Sequence, residues 1–126
     1  MSTKTILIAD DSATMRAMLV SVLESLGDFQ VIEAASGFEA LRFLPRGHVD
    51  LIMTDINMPD INGLELISYL RNNPNYKDIP VFIISTEGSA KDIEKGKQLG
   101  ADEYVVKPFS ATALQLLINK YLHSDE

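Results

Sequence analysis

Short apolar runs alternate with helical patterns from one end of the chain to the other, and no other feature narrows the possible folds as far. The runs are Ile6-Leu7-Ile8-Ala9, Phe29-Gln30-Val31-Ile32, Val49-Asp50-Leu51-Ile52-Met53-Thr54, Ile79-Pro80-Val81-Phe82-Ile83-Ile84 and Glu103-Tyr104-Val105-Val106. Each is too short for a helix and too continuously apolar for a half-exposed strand, so each reads as a strand buried on both faces. Between them apolar residues recur three and four apart, as in Met15, Met18, Leu19, Val22, Leu23 and Leu26, or Leu114, Leu117, Ile118 and Tyr121. That spacing marks one face of a helix, and it places Met15 and Met18 in the core.

Capping and breaking residues set the boundaries. Asp11 or Ser12 caps the first helix and Gly27 closes it; Pro45 and Gly47 stop the second, which runs through Ala40, Leu41 and Leu44. The third runs from Gly63 to about Asn72 with Pro74 beyond, and the fourth from about Ser89 to Gln98 with Gly100 after it. A fifth follows Pro108 and leaves a polar tail, Ser124-Asp125-Glu126. Five strands, each followed by a helix, imply right-handed crossovers and a parallel sheet covered on both faces, an α/β sandwich.

The 126 residues suit a single domain, 1–126, without a second module, and such a domain buries roughly two thirds of its unfolded surface. Eighteen acidic against eleven basic side chains give a net charge of −7, which argues against binding nucleic acid or anionic lipid. There is no cysteine, so disulfides, thiol catalysis and the usual zinc sites are excluded. The first apolar run is too short for a signal-peptide core or a membrane span, and a cytoplasmic location is expected.

The polar residues that could carry chemistry stand at the C-terminal ends of the runs: Asp10-Asp11 after the first, Asp55 after the third, Ser85-Thr86 after the fourth and Lys107 after the fifth. In open α/β sheets ligands bind at that edge, where strand order reverses. If the order is 2-1-3-4-5, Asp10, Asp11 and Asp55 share a pocket. Ser85 then lies on one flank, and Lys107 can return along its flexible stem. Like charges so close raise one another's pKa, and a divalent cation relieves the conflict; oxygen-only ligands match Mg2+. A carboxylate beside Mg2+ and lysine can attack phosphorus and form an aspartyl phosphate. Singly these residues read as helix caps, a turn aspartate and a solvated lysine, with Pro108 as a helix-start proline or the second half of a cis bond. Their coincidence at one edge is what carries weight.

Read together, Ile6 to Ser12, Asp55-Ile56-Asn57-Met58-Pro59 through Asn62-Gly63, Ser85-Thr86-Glu87, Gly100-Ala101-Asp102 and Tyr104-Val105-Val106-Lys107-Pro108-Phe109 resemble the receiver domains of two-component response regulators, in particular the CheY-like single-domain chemotaxis regulators. The resemblance runs from Ile6 to about Leu122. It implies a flavodoxin-like (βα)5 fold with strand order 2-1-3-4-5, and a signalling domain rather than an enzyme. It also implies Asp55 as phosphoryl acceptor from a CheA-like sensor histidine kinase. Mg2+ would be held by Asp10, Asp11, Asp55 and the Asn57 carbonyl, with Asp10 acting through water. Lys107 and Ser85 would contact the phosphoryl group, Tyr104 would be the aromatic switch, and Asn57 with Glu87 would tune dephosphorylation to seconds or a few minutes. The face around Ile93, Lys97, Tyr104 and Phe109 would meet a downstream protein such as a flagellar motor switch component, the chain being a monomer or dimerising on phosphorylation. Ser12 and Ile56 stand where the best-known chemotaxis protein has aromatic residues.

Other readings of the same residues are a phosphorelay shuttle or the receiver of a larger regulator. From another class comes a haloacid dehalogenase-type phosphatase, which expects Asp-x-Asp after its first strand where this chain has adjacent Asp10-Asp11. An FMN carrier would need a Ser/Thr/Gly-rich phosphate cradle in the first loop. His48 and His123 are isolated, and Lys91, Lys95 and Lys97 read as a solvated helix face that could also meet an acidic partner.

Overall fold

A computed structural model describes residues 3–122; the expected polar tail and His123 lie outside the described residues. The strands are β1 (Lys4–Ala9), β2 (Phe29–Ala34), β3 (Leu51–Thr54), β4 (Val81–Ser85) and β5 (Glu103–Val106). They alternate with helices α1 (Ala13–Leu26), α2 (Gly37–Phe43), α3 (Gly63–Arg71), α4 (Ala90–Leu99) and α5 (Ala111–Leu122), and a 3-10 turn, Leu44–Arg46, follows α2. All four strand pairs are parallel, in the order β2-β1-β3-β4-β5. This is the flavodoxin-like fold with the strand order expected.

The core lies in two layers separated by the sheet, because successive side chains on a strand point to opposite faces. Leu7, Ala9, Ile52 and Ile83 pack against Ala40 of α2, Leu66, Ile67 and Leu70 of α3, and Leu99 of α4. Ile6, Ile8, Leu51, Met53, Phe82 and Ile84 pack against Leu19 and Leu23 of α1 and Leu114, Ile118 and Leu122 of α5. Met15 borders this second cluster, but Met18 is 50% exposed. Its place in the three-and-four pattern is at the margin of the buried stripe, so the expectation that it fills the core is corrected.

Local chemistry explains the element ends. Ser12 caps α1 by accepting from the Met15 N–H at 3.2 Å. Gly27, with φ 153°, ends α1 in a backbone conformation that favours glycine. A reciprocal box between Asn62 and Glu65 opens α3. The third strand starts at Leu51, later than the apolar run suggests. Asp50 instead turns its carboxylate to the Thr5 N–H at 2.8 Å and to His48 at 2.9 Å. Likewise β4 starts after Pro80, which has no N–H but still accepts from the Ile52 N–H at 3.0 Å.

Candidate functional site

The chain order of β1 and β3 places their ends side by side at the point where the sheet reverses direction. The Asp55 N–H donates to the Ala9 carbonyl at 2.9 Å, which fixes the two loops in register. Carboxylate oxygens of Asp10, Asp11 and Asp55 all lie within 4.8 Å of one another. Across two strands Lys107 returns along its stem, and its Nζ lies 3.1 Å from both Asp10 Oδ2 and Asp55 Oδ2. The Lys107-Pro108 bond is cis.

Each group is held differently. Asp10 is only 1% exposed, and a carboxylate so buried must have partners. Its Oδ1 accepts from the Ser12 N–H at 2.9 Å and its Oδ2 from Lys107. Asp55 is half-buried; its Oδ1 accepts from the Ile56 N–H at 2.6 Å and its carbonyl from the Thr54 hydroxyl at 2.9 Å. Asp11 is exposed. Burial alone would push the Lys107 ammonium down, but the hydrogen bonds and charges of Asp55 and Asp10 outweigh it and raise its pKa above that of free lysine. The site is therefore a carboxylate-rich cleft with one ammonium set into it.

On the β4 side, Ser85 is fully buried, and its Oγ accepts from the Glu87 N–H at 3.1 Å. Glu87 has two further roles. Its Oε1 accepts from Asn57 Nδ2 at 2.9 Å, and its carbonyl accepts from the Tyr104 hydroxyl. Burial raises the Tyr104 pKa, and the Asp92, Glu87 and Asp55 charges add to it, against a lowering hydrogen bond with Ser85. Asn57, Glu87 and Tyr104 thus form a continuous link from the Asp55 loop to β5.

Of the outer face expected to respond, Lys97 is exposed and Ile93, Tyr104 and Phe109 are half-buried. Tyr104 packs into the layer beneath α2, α3 and α4, whereas Phe109 packs into the layer beneath α1 and α5. The two rings therefore lie on opposite sides of the sheet. Lys91 and Lys95 are exposed on α4 as read.

Three contributors were not singled out from sequence. Thr54, 1% exposed, supports the Asp55 carbonyl. Asp60 fastens the Asp55 loop to α2 by accepting from the Gly37 and Phe38 N–H groups, each at 3.1 Å. The Ile61 N–H bond, foremost, holds the Asp60 carboxyl below its ordinary pKa. Arg16 donates to the Asp10 carbonyl at 2.6 Å. An arginine four residues beyond the cap Ser12 was the available signal, since it lies one helical turn above the acidic pair.

The donor set suits a hard divalent cation: three carboxylates, no nitrogen or sulfur ligand among the grouped residues, and an exposed member open to solvent. Comparison with known proteins agrees in kind. The family model of the response regulator receiver domain matches residues 6–119. The Chemotaxis protein CheY homolog of Campylobacter jejuni is 38% identical over 111 residues, covering 87% of this chain and 85% of that protein. Among solved structures, chemotaxis protein CheY4 of Vibrio cholerae superposes with a TM-score of 0.87 at 33% identity, covering 96% of this chain and 100% of that one. The receiver domain of a sensor histidine kinase from Pseudomonas aeruginosa, which has a magnesium ion coordinated in its active-site cleft, superposes at 0.86 with 25% identity, covering 97% of this chain and 99% of that one.

Proposed function

The chain belongs to the response regulator receiver family, and from that premise we propose that it is a Mg2+-dependent phosphoryl acceptor of the chemotaxis type, with Asp55 as the acceptor. The observation that carries this reading is the Lys107 ammonium 3.1 Å from Asp55 Oδ2, within a cluster of three carboxylates. A carboxylate oxygen of Asp55 forms a new P–O bond as the P–N bond of a phosphohistidine breaks, and the histidine nitrogen leaves with the bonding pair. Asp10, Asp11, Asp55 and the Asn57 carbonyl would hold Mg2+, which when bound neutralises charge on the phosphoryl oxygens. Lys107 supplies the fixed positive charge at the same point. Ser85, rotating out of its bond with the Glu87 N–H, would donate its hydroxyl proton to a phosphoryl oxygen.

A phosphoryl group adds about −1.5 to −2 charges, enough to redistribute the partners of Ser85 and Lys107 and so to alter the loops leading into α4 and α5. The protein is a signalling acceptor, labelled once per chain, rather than a turnover enzyme. Its donor is a sensor histidine kinase of the CheA-like kind. Its target is a downstream protein met by the α4, β5 and α5 face, for which a flagellar motor switch component is the leading candidate, and both encounters are cytoplasmic. Among the described residues no helix is long and apolar enough to cross a membrane.

Mass spectrometry after incubation with acetyl phosphate and Mg2+ tests the assignment. One phosphoryl group is expected on the wild type and none on Asp55→Asn; labelling of the variant at the wild-type rate overturns it. The Asn57 and Glu87 pair implies loss of the label within seconds to a few minutes, and survival for hours refutes that part. Capture of partners on beryllofluoride-treated protein, against Asp55→Asn, identifies the target.

A further inference from the structure

We infer that Arg16 is a positioning residue for the acidic cluster, holding the Asp10 backbone so that its carboxylate is preset toward Lys107 and Asp55. The inference rests on the Mg2+ and phosphoryl reading above. Arg16 lies one turn into α1, with its side chain 17% exposed. Its Nη1 donates to the Asp10 carbonyl at 2.6 Å, and its Nε lies 3.2 Å from Glu33 Oε1. Glu33 is on β2, next to Ala34, whose carbonyl accepts from the Asp10 N–H at 3.0 Å.

Asp10 is thereby held at all four of its polar atoms. Its N–H goes to Ala34, its carbonyl to Arg16, its Oδ1 to the Ser12 N–H and its Oδ2 to Lys107. Three of those contacts belong to the strand ladder, the helix cap and the candidate site itself. Among the described contacts of Asp10, the one to Arg16 ties the loop to a β2 side chain, and the guanidinium reaches its two partners from separate nitrogens of one planar fork, Nη1 to the Asp10 carbonyl and Nε to Glu33.

Position and charge make opposite forecasts for metal binding. If Arg16 acted only by its charge, removing a cation near three carboxylates would tighten the binding of Mg2+. If it presets Asp10, removal leaves the loop to be ordered by the ion, and binding weakens. Outer-shell partners of metal ligands typically account for roughly 10- to 100-fold in affinity.

The test is calorimetric titration of MgCl2 into the intact wild type, Arg16→Ala, Arg16→Lys and Glu33→Gln, with amide hydrogen exchange on the metal-free proteins. Arg16→Ala is expected to weaken Mg2+ binding by roughly tenfold or more, with smaller losses in Arg16→Lys and Glu33→Gln. The Ser12 amide, bonded to Asp10 Oδ1, should exchange faster in Arg16→Ala while the β3 and β4 amides do not. Equal or tighter binding by a folded Arg16→Ala overturns the inference. Should Arg16→Ala fail to fold, unchanged binding and Ser12 exchange in both Arg16→Lys and Glu33→Gln overturn it. If the wild type binds no Mg2+, the metal reading itself fails, and the Ser12 exchange rates still decide whether Arg16 holds the loop.

Discussion

Replacing Gly63 with alanine should damage stability and phosphoryl acceptance together, because α3 begins directly against the backbone of the candidate acceptor. The Gly63 N–H donates to the Ile56 carbonyl at 2.8 Å. A Cβ built on Gly63 would stand 2.1 Å from the Asp55 carbonyl oxygen, 3.0 Å from its carbonyl carbon and 3.1 Å from the Ile56 Cα. All three neighbours are main-chain atoms, so no side chain can swing aside, and the loop and helix must separate by almost an ångström. Overpacking of this kind costs about 1–3 kcal/mol, while the reduced backbone entropy of the unfolded alanine chain returns about 0.4–1 kcal/mol. A net loss of about 1–2 kcal/mol lowers Tm by roughly 3–10 °C in a domain of this size.

The same displacement moves Asp55 relative to Lys107, whose 3.1 Å contact has little slack. A misplacement of about 1 Å can cost on the order of 100-fold in rate, so acetyl phosphate labelling should slow by roughly 10- to 100-fold. Urea denaturation and timed mass spectrometry measure the two effects. Gly47→Ala is the control, since nothing lies within 4 Å of its added Cβ and its φ of 176° is ordinary extended backbone. A folded Gly63→Ala with wild-type stability and a wild-type labelling rate would refute the reasoning.

Three other outcomes follow from residues away from Asp55. Burial, then the hydrogen bond to Glu103 at 2.6 Å, raises the Tyr121 pKa above that of free tyrosine. Its stabilising contribution is therefore whole below about pH 10 and lost as pH climbs further. Tyr121→Phe should flatten that alkaline loss, and an unchanged slope in urea titrations at rising pH would contradict it. In Gly96→Ala, the new Cβ would lie 2.8 Å from Ile83 Cδ1 and 3.1 Å from the Tyr104 ring. Both are side-chain atoms that can yield, and the helix gains about 1 kcal/mol of propensity. Stability should hold while the Tyr104 hydroxyl leaves the Glu87 carbonyl, which the Tyr104 ring resonances will report; unmoved resonances count against it. Arg71 donates to the Gly100, Lys77 and Ile79 carbonyls and to Asp102. Arg71→Ala should cost about 2–4 kcal/mol by leaving several acceptors unpaired, and a loss below about 0.5 kcal/mol would show that water replaces it.

The periodicity made the strands, the helices and their order along the chain readable, because burial on two faces writes itself into β1, β3 and β4. The edge strands β2 and β5 are only partly buried, contrary to the expectation that all five are covered on both faces. Strand ends were less legible where one residue serves two elements. Asp50 looked like part of an apolar run, yet its carboxylate caps the Thr5 N–H on a neighbouring strand, a contact 45 residues away that no local pattern encodes. Met18 shows the complementary limit: three-and-four spacing finds a stripe but not its margin. For the site, the polar strand ends were visible individually, whereas their meeting depended on strand order. Thr54 and Asp60 act through main-chain groups, and such partners leave no signature in side-chain spacing, whereas Arg16, which also meets a main-chain carbonyl, is marked only by its place one turn beyond the cap.

The same contacts explain how the fold tolerates three carboxylates in one cleft. Charge repulsion alone would drive Asp10, Asp11 and Asp55 apart or force one to take up a proton. Lys107 bridges the two inner carboxylates, and backbone N–H groups of Ser12 and Ile56 occupy their remaining oxygens. Ser12 is the cap of α1, Lys107 directly follows β5 and Ile56 lies in the loop after β3, so the groups that hold the charges in place come from the segments just beyond three strands. A new negative charge at Asp55 would compete for Lys107 at once. The link of Asn57 to Glu87 and of Glu87 to Tyr104 joins the Asp55 loop to β5. Any rearrangement of these bonds in the loops after β3 and β4 reaches β5 through Tyr104, whose ring packs into the layer beneath α2, α3 and α4.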